Sequence, residues 1–290
     1  MGLLTITCLA PHWLVRTPCS ILAGLVFVRM FVIFHDFQHG TILQDSPLAS
    51  LMMFAYGIST LTPPSIWKRS HNHHHKHNGR MVRASIGSYP LMTTAGYALA
   101  TRGERMRYIV ARHPLTMLLG YGSLFVFGMC LRPFIARPRE HWDGGIALIL
   151  HAALIVALAI GAPDVLVFAY MIPLMLAGAV AAYLFYAQHN FPGFEIKPPG
   201  DWDFAFASLK SSSFLNTGPL MAWFTGNIGY HHVHHLNARI PFYRLPEAMA
   251  AVEELQSPRT TSLNPAEIYR CLRLKLWDSQ KCRLVNFAGD

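Results

Sequence analysis

The sequence predicts an all-α, integral-membrane helical bundle, and three observations carry that prediction. Of its 290 residues, 52% are hydrophobic and 13% charged, against roughly 25% charged in an ordinary soluble domain. Five apolar stretches divide the chain, and two of them are joined by a tight turn. The polar segments between them are basic: 24 Lys and Arg oppose 15 Asp and Glu, a net charge of +9. This composition excludes a disordered chain and argues against a soluble globule. The positive excess suits membrane edges better than nucleic acid, because the charges are too few for a soluble basic domain. Cys8, Cys19, Cys130, Cys271 and Cys282 lie far apart with no Cys-x-x-Cys. Neither a disulfide framework nor a zinc ribbon is expected.

The elements follow in order. Met1–Ala10 is apolar but short, since ~1.5 Å per residue cannot match a hydrocarbon core of ~30 Å. It lacks the basic start and cleavage site of a secretory signal and reads as part of an earlier helix. The first span is expected near 20–39, built on Ile21–Phe34. Leu48–Leu61, ending at Pro63 and Pro64, suits an interfacial or re-entrant segment near 48–62. Pro114–Leu131 has spanning length but contains Gly120, Gly122, Ser123 and Gly128. Basic residues flank it, including Lys68, Arg83, Arg102 and Arg112 before it and Arg132, Arg137 and Arg139 after it. The positive-inside rule puts both flanks in the cytoplasm, so 114–131 is not expected to cross. Gly144–Ala162 and Val165–Ala187 have the ~20 apolar residues a span needs. Pro163 and Asp164 turn between them, giving a transmembrane hairpin over 144–162 and 165–187. Residues 1–235 are expected to form the membrane domain and 236–290 a cytosolic tail. The tail holds helix-like runs near Pro246–Leu255 and Pro265–Trp277.

There are 16 histidines, and most fall in three clusters. HDFQHG holds His35 and His39. WKRSHNHHHKHN holds His71, His74 and His75, and GNIGYHHVHHL holds His231, His234 and His235, both in H-x-x-H-H spacing. Positions i, i+3 and i+4 share one helix face, so each cluster can aim its imidazoles at one point. Neutral imidazole is a good ligand for iron, copper, zinc and nickel. Nine histidines, counting His189 at the end of the fifth apolar stretch, are too many for one tetrahedral ion. They suit two ions. Each cluster also sits where an apolar stretch meets a polar one, so helices ending at one membrane face would bring them together. On a helical wheel His73 points away from His71, and His232 lies off the His231 face; both suit outer or solvent-facing roles. His77 is borderline. His151, alone in the fourth stretch, is expected to pack or hydrogen-bond there, and His12, His113 and His141 to lie at the membrane interface.

These three clusters resemble the histidine boxes of the integral-membrane fatty acid desaturases. The resemblance extends through WFTGNIGYHHVHHLNARIPFYRLPEA and RLKLWDSQKCRLVNF. Bacterial and plastid-type acyl-lipid desaturases of the delta-12 (omega-6) branch look most similar. The resemblance implies a cytosolic cap holding two non-haem irons, with His35, His39, His71, His74, His75, His231, His234 and His235 as ligands and His189 as a further one. It implies oxygen-dependent removal of two hydrogens from adjacent methylenes of an acyl lipid. An unactivated methylene has no acidic proton, so a metal and O2 are needed. The boxes specify the superfamily better than the reaction, and a hydroxylase, ketolase or alkane monooxygenase is the alternative. A metal transporter would place its ligands at the membrane midplane, where among ionisable groups the hairpin offers His151.

The sequence also departs from the family's pattern. Asp36-Phe37-Gln38 fills a box where relatives often carry Cys and Gly, and Phe242 replaces a common Asn. Phe185 stands where stearoyl-type enzymes place an Asn, and Asn227 is the candidate substitute. Asp36, Asp203, Glu195 and Asn237 are candidates to orient imidazoles, by the usual pairing of a ligand histidine with a carboxylate or carbonyl. Arg29 and Asp36, seven residues apart on one helix face, are expected to pair. Trp67 and Trp202 suit interfacial anchors. No His-Pro-Gly-Gly haem motif occurs, so electrons are expected from a separate protein, by resemblance a ferredoxin drawn to the basic loops. The expected location is a bacterial inner membrane, with the histidines on the cytoplasmic side.

Overall fold

The structure, a computed structural model, describes residues 1–80 and 88–290; Arg83 lies outside the described residues. The chain is mainly helical and divides into two compact units. The first comprises residues 1–69 and 117–182, the second 70–116 and 183–290. Both are discontinuous in sequence and do not follow a boundary at residue 235. The reason is that tail strands pair with segments far upstream: Thr260–Ser262 with Phe214–Asn216, and Leu276–Asp278 with Met92–Thr93.

The first unit holds the apolar helices. Trp13–Gln38, Trp142–Gly161 and Pro163–Ala187, of 26, 20 and 25 residues, are long and apolar enough to cross a membrane. The last of these has its final turns, from Tyr183, in the second unit. The first begins at Trp13 rather than near residue 20, because the helix runs through Pro18 instead of starting after it. Ile149, Val156 and Ile160 are exposed on Trp142–Gly161, so its outer face is as apolar as its inner one, the pattern of a helix facing lipid rather than water. Pro47–Ser59 is a shorter helix. Ser46 caps it by accepting from the Ala49 N–H at 3.1 Å, and Pro47 sits in the first turn, where its missing donor costs nothing. The stretch near 114–131 forms helix Pro114–Leu118 and then a helix over Tyr121–Leu131 of the wide π type. Gly120 makes the crossing with Pro163–Ala187 possible: a Cβ there would lie 2.4 Å from the Gly178 carbonyl oxygen.

Two polar networks in this unit are closed off internally, as a dry environment requires. His151 Nε2 donates to the Ile58 carbonyl at 3.0 Å, at the C-terminal end of helix Pro47–Ser59. Its Nδ1 accepts from Tyr170, whose hydroxyl meets Tyr121 at 2.8 Å. His151 therefore hydrogen-bonds within its span, as the sequence suggested. Asp143 accepts from the Ser65 N–H at 2.9 Å and from its hydroxyl at 2.6 Å. That carboxylate covers the N-terminus of helix Pro64–His77, the end that attracts negative charge. His141 reaches the same Ser65 hydroxyl at 2.9 Å and is buried.

The second unit is built of short helices around two small sheets. Helix Arg102–Ala111 starts with a reciprocal cap between Thr101 and Glu104. In the tail, the run expected over Pro246–Leu255 is helix Leu245–Ala251 followed by a 3-10 turn at Glu253–Leu255. The run expected to Trp277 ends at Arg273, and Leu276–Asp278 is the middle strand of the three-stranded sheet. Strand pairing overrides helix periodicity there, because Leu276 and Trp277 are buried on both sides.

Candidate metal centre

Seven of the nine singled-out histidines lie in the second unit. Helix Pro64–His77 presents His71, His74 and His75, and the six-residue helix His231–Leu236 presents His231, His234 and His235. His189 lies two residues beyond the end of helix Pro163–Ala187. The imidazoles form two groups. His74, His189, His231 and His235 each offer one nitrogen, all within 4.8 Å of one another. Their Nε2 atoms are 3.0 Å apart for His74–His189, 3.2 Å for His74–His235, 2.9 Å for His189–His231 and 3.1 Å for His231–His235. His71, His75 and His234 form the other group, with Nε2 separations of 3.0 Å for His71–His75 and 3.1 Å for His75–His234. Most neighbouring rings meet edge to face, for example 83° between His74 and His189.

The hydrogen bonds fix what these nitrogens can do. His189 Nδ1 lies 3.0 Å from the Ser211 carbonyl, which can only accept. The proton is therefore on Nδ1, and Nε2 presents a lone pair to three other imidazoles. Burial pushes the His189 pKa down to about 4. His235 is driven well below the usual range by burial, then by His75, His231, His189 and His74 around it. Both are neutral at pH 7, the form that binds metal. His189 thus turns a lone pair toward the buried His74, His231 and His235, and a cation at this point would take it up. The donor set, all borderline nitrogen with no thiolate, fits a divalent first-row transition metal such as iron.

In the first unit His35 and His39 are one turn apart, their rings 4.6 Å from centre to centre. Asp36 Oδ1 lies 2.9 Å from His35 Nδ1. A carboxylate there holds the proton on Nδ1 and leaves Nε2 as the donor. Burial, then the neighbouring His35, lowers the His39 pKa far below its usual value. Trp67 is buried and packs edge-on against His35 at 5.5 Å and His39 at 6.4 Å. The sequence suggested an interfacial anchor; the indole instead packs against the first box, because its helix begins inside the unit.

The other candidates have their own places. Asp203 caps helix Phe204–Lys210, and Glu195 pairs with Arg259 at 3.2 Å. Asn237 accepts from the Arg239 N–H at 3.0 Å, and Asn227 donates to the Phe242 carbonyl at 3.3 Å. Trp202 donates to the Asn78 carbonyl at 2.9 Å and lies beneath the Arg80 guanidinium. His73 stacks on His77 at 3.9 Å. His232 is buried rather than solvent-facing, with Nε2 donating to the Leu255 carbonyl at 3.1 Å. Phe185 lies edge-on to His74, ring centres 5.1 Å apart. Two contacts were invisible in the sequence. Ser88 Oγ meets His74 Nδ1 at 2.6 Å, and the Ser211 carbonyl holds His189. A carbonyl leaves no residue signature, and Ser88 is remote from every box.

Helices long and apolar enough to cross a membrane, together with histidine groups that could hold a metal ion, mark the class as a membrane-type protein with a potential metal site. The comparisons with known proteins make this specific. Residues 11–264 match the fatty acid desaturase family. A fatty acid desaturase of Bacillus subtilis is 30% identical over 96% of this chain and 79% of its own length. An Arabidopsis thaliana delta(12)-fatty-acid desaturase is 23% identical over 80% of this chain and 64% of its own. A chloroplastic omega-3 fatty acid desaturase of Glycine max is 25% identical over 83% of this chain and 55% of its own. The chain thus spans less than two thirds of those two plant relatives. It belongs to the fatty acid desaturase family and is an enzyme that desaturates fatty acids.

Proposed function

We propose that the chain introduces a double bond into a long acyl chain of a membrane lipid, using two non-haem irons and O2. The observation that carries this reading is the convergence of imidazole Nε2 lone pairs in two groups. His74, His189, His231 and His235 would hold one ion; His71, His75 and His234 would contribute to the other. His35 and His39 are assigned as ligands on their spacing and on the orientation Asp36 gives His35. Bound iron, with O2, supplies the oxidant that a C–H bond of an unactivated methylene requires. Over the reaction the substrate loses two hydrogens, a donor supplies two electrons, solvent supplies two protons, and O2 leaves as two waters.

The protein's own groups do the positioning. Ser211 and Asp36 fix imidazole tautomers, so each ring offers Nε2 without rearrangement. Phe185 on His74 and Trp67 on His35 place apolar surface against the ligands and keep water from them. The electron donor fits a small acidic redox protein such as a ferredoxin, because Arg102 and Arg107 are exposed on a basic helix. Basic flanks support a cytoplasmic position for the histidines, in what we read as a bacterial inner membrane.

The test is expression in a host lacking polyunsaturated lipids, with fatty acid profiling by mass spectrometry and metal analysis of the purified protein. Products two mass units lighter and two irons per chain are expected. Products heavier by one oxygen would replace this reading with a hydroxylase.

A further inference from the structure

Arg112 is a cation in an unusual place. It follows helix Arg102–Ala111, is 2% exposed, and its guanidinium donates to neutral oxygens. Burying a charge among neutral acceptors is costly, so a residue kept there must do something an apolar side chain could not. Its contacts show what. Nη1 donates to the Pro90 carbonyl at 2.7 Å. Nη2 reaches the Tyr186 hydroxyl at 3.1 Å, the Asn190 side-chain oxygen, and the Leu274 carbonyl at 3.3 Å.

Two of these segments lead straight to the imidazoles. Pro90 is two residues from Ser88, whose hydroxyl holds His74 Nδ1 at 2.6 Å. Asn190 directly follows His189, and its amide is held in turn by the Cys271 carbonyl at 2.7 Å. Between them Tyr89 packs on Phe185 at 5.9 Å and on Tyr186 at 5.1 Å, and Phe185 touches both His74 and His189. A rigid, planar fork can hold three segments at once, and a flexible ammonium cannot.

We infer that Arg112 is a positioning residue, which fixes the 88–90 segment and the chain after His189 and so sets the orientation of both imidazoles. This rests on the metal reading of the cluster. The bland alternative is a clamp for the tail, since Leu274 is also a partner and Lys275 Nζ caps the Arg112 carbonyl at 2.6 Å.

The experiment uses the full chain in detergent, loaded with Co2+ as a spectroscopic reporter. It reads the ligand-field absorption and the rate of cobalt release to a chelator, well below the unfolding temperature. Arg112→Lys keeps the charge and loses the fork; Ser88→Ala frees His74 alone; Ser88→Thr keeps the hydroxyl. Arg112→Lys and Ser88→Ala should each speed release of one of the two ions about tenfold and shift its absorption, and Ser88→Thr should match the parent. In the double variant the effects should not multiply, because both act through one line of contacts. A clamp for the tail alone predicts a lower unfolding temperature with unchanged absorption and release for Arg112→Lys, and that result overturns the inference, as do multiplying effects. If Arg112→Lys does not accumulate, Tyr186→Phe removes one acceptor of the guanidinium and is read the same way; unchanged release overturns the inference there too. A parent protein that takes up no cobalt overturns the metal reading and this inference with it. Two bound ions with unaltered variants overturn this inference alone.

Discussion

His151 and His189 make an instructive pair. One lies within a long apolar stretch of sequence and the other at the end of one, and neither belongs to a multi-histidine box. In the first unit, His151 spends both ring nitrogens on protein partners, Tyr170 and the Ile58 carbonyl. In the second, His189 spends Nδ1 on the Ser211 carbonyl and turns Nε2 toward His74, His231 and His235. One histidine closes a polar network; the other leaves a lone pair to share. The same contrast runs through the two units. Ser65, Asp143 and His141 satisfy one another and a helix end, whereas the clustered imidazoles bring their Nε2 atoms together around a shared point. Burial of a polar side chain marks a functional group when its hydrogen-bond capacity is left open, not when it is merely buried.

The contrast is broken or sharpened by four measurements. The largest effect belongs to His189→Ala: metal content should fall, and desaturated product should drop below detection in the host profile, while His151→Ala leaves the metal content of folded protein unchanged. If His151→Ala removes metal, the distinction is wrong. Next, Asp36→Asn should weaken metal retention by about 10–100-fold, as loss of a partner that orients a ligand does; competition with a chelator reads it. Smaller is the stability cost of His151→Leu, about 1–3 kcal/mol, because the Ile58 carbonyl and a tyrosine hydroxyl lose their partner in a dry site. Tryptophan fluorescence during thermal unfolding in micelles measures it.

The smallest effect is a pH dependence. Lys275 has its pKa lowered from 10.5 to about 8, by burial and then by Arg112. Between those values the unfolded chain holds more protons than the folded one, so stability should rise with pH across that window. Lys275→Met should flatten that rise in chemical unfolding curves, leaving the curve below pH 8 parallel to the parent's.

Much of the centre was legible because its grammar is local. H-x-x-H-H places three imidazoles on one face through helix geometry alone, and the structure presents both such boxes in that way. His189 stood out by its place at the end of an apolar stretch, and the family resemblance gave it a role as a further ligand. Trp67 was expected at the interface and is buried, and of the two roles left open for His232 the solvent-facing one fails, because sequence gives direction but not what lies there. Trp67 meets the first box, and His232 meets the Leu255 carbonyl, a partner far along the chain.

By itself the sequence determined the helical membrane character and the ligand type. Both follow from short-range properties: apolar length against bilayer thickness, and imidazole spacing against the helical repeat. Tertiary structure alone decided which ring nitrogen of His189 and of His35 carries the proton, because those tautomers are set by the Ser211 carbonyl and by Asp36. It also decided that the tail is part of the histidine unit. Hydrogen bonds between strands and carbonyls distant in sequence cost loop entropy to form and leave no periodic trace in the residues that make them.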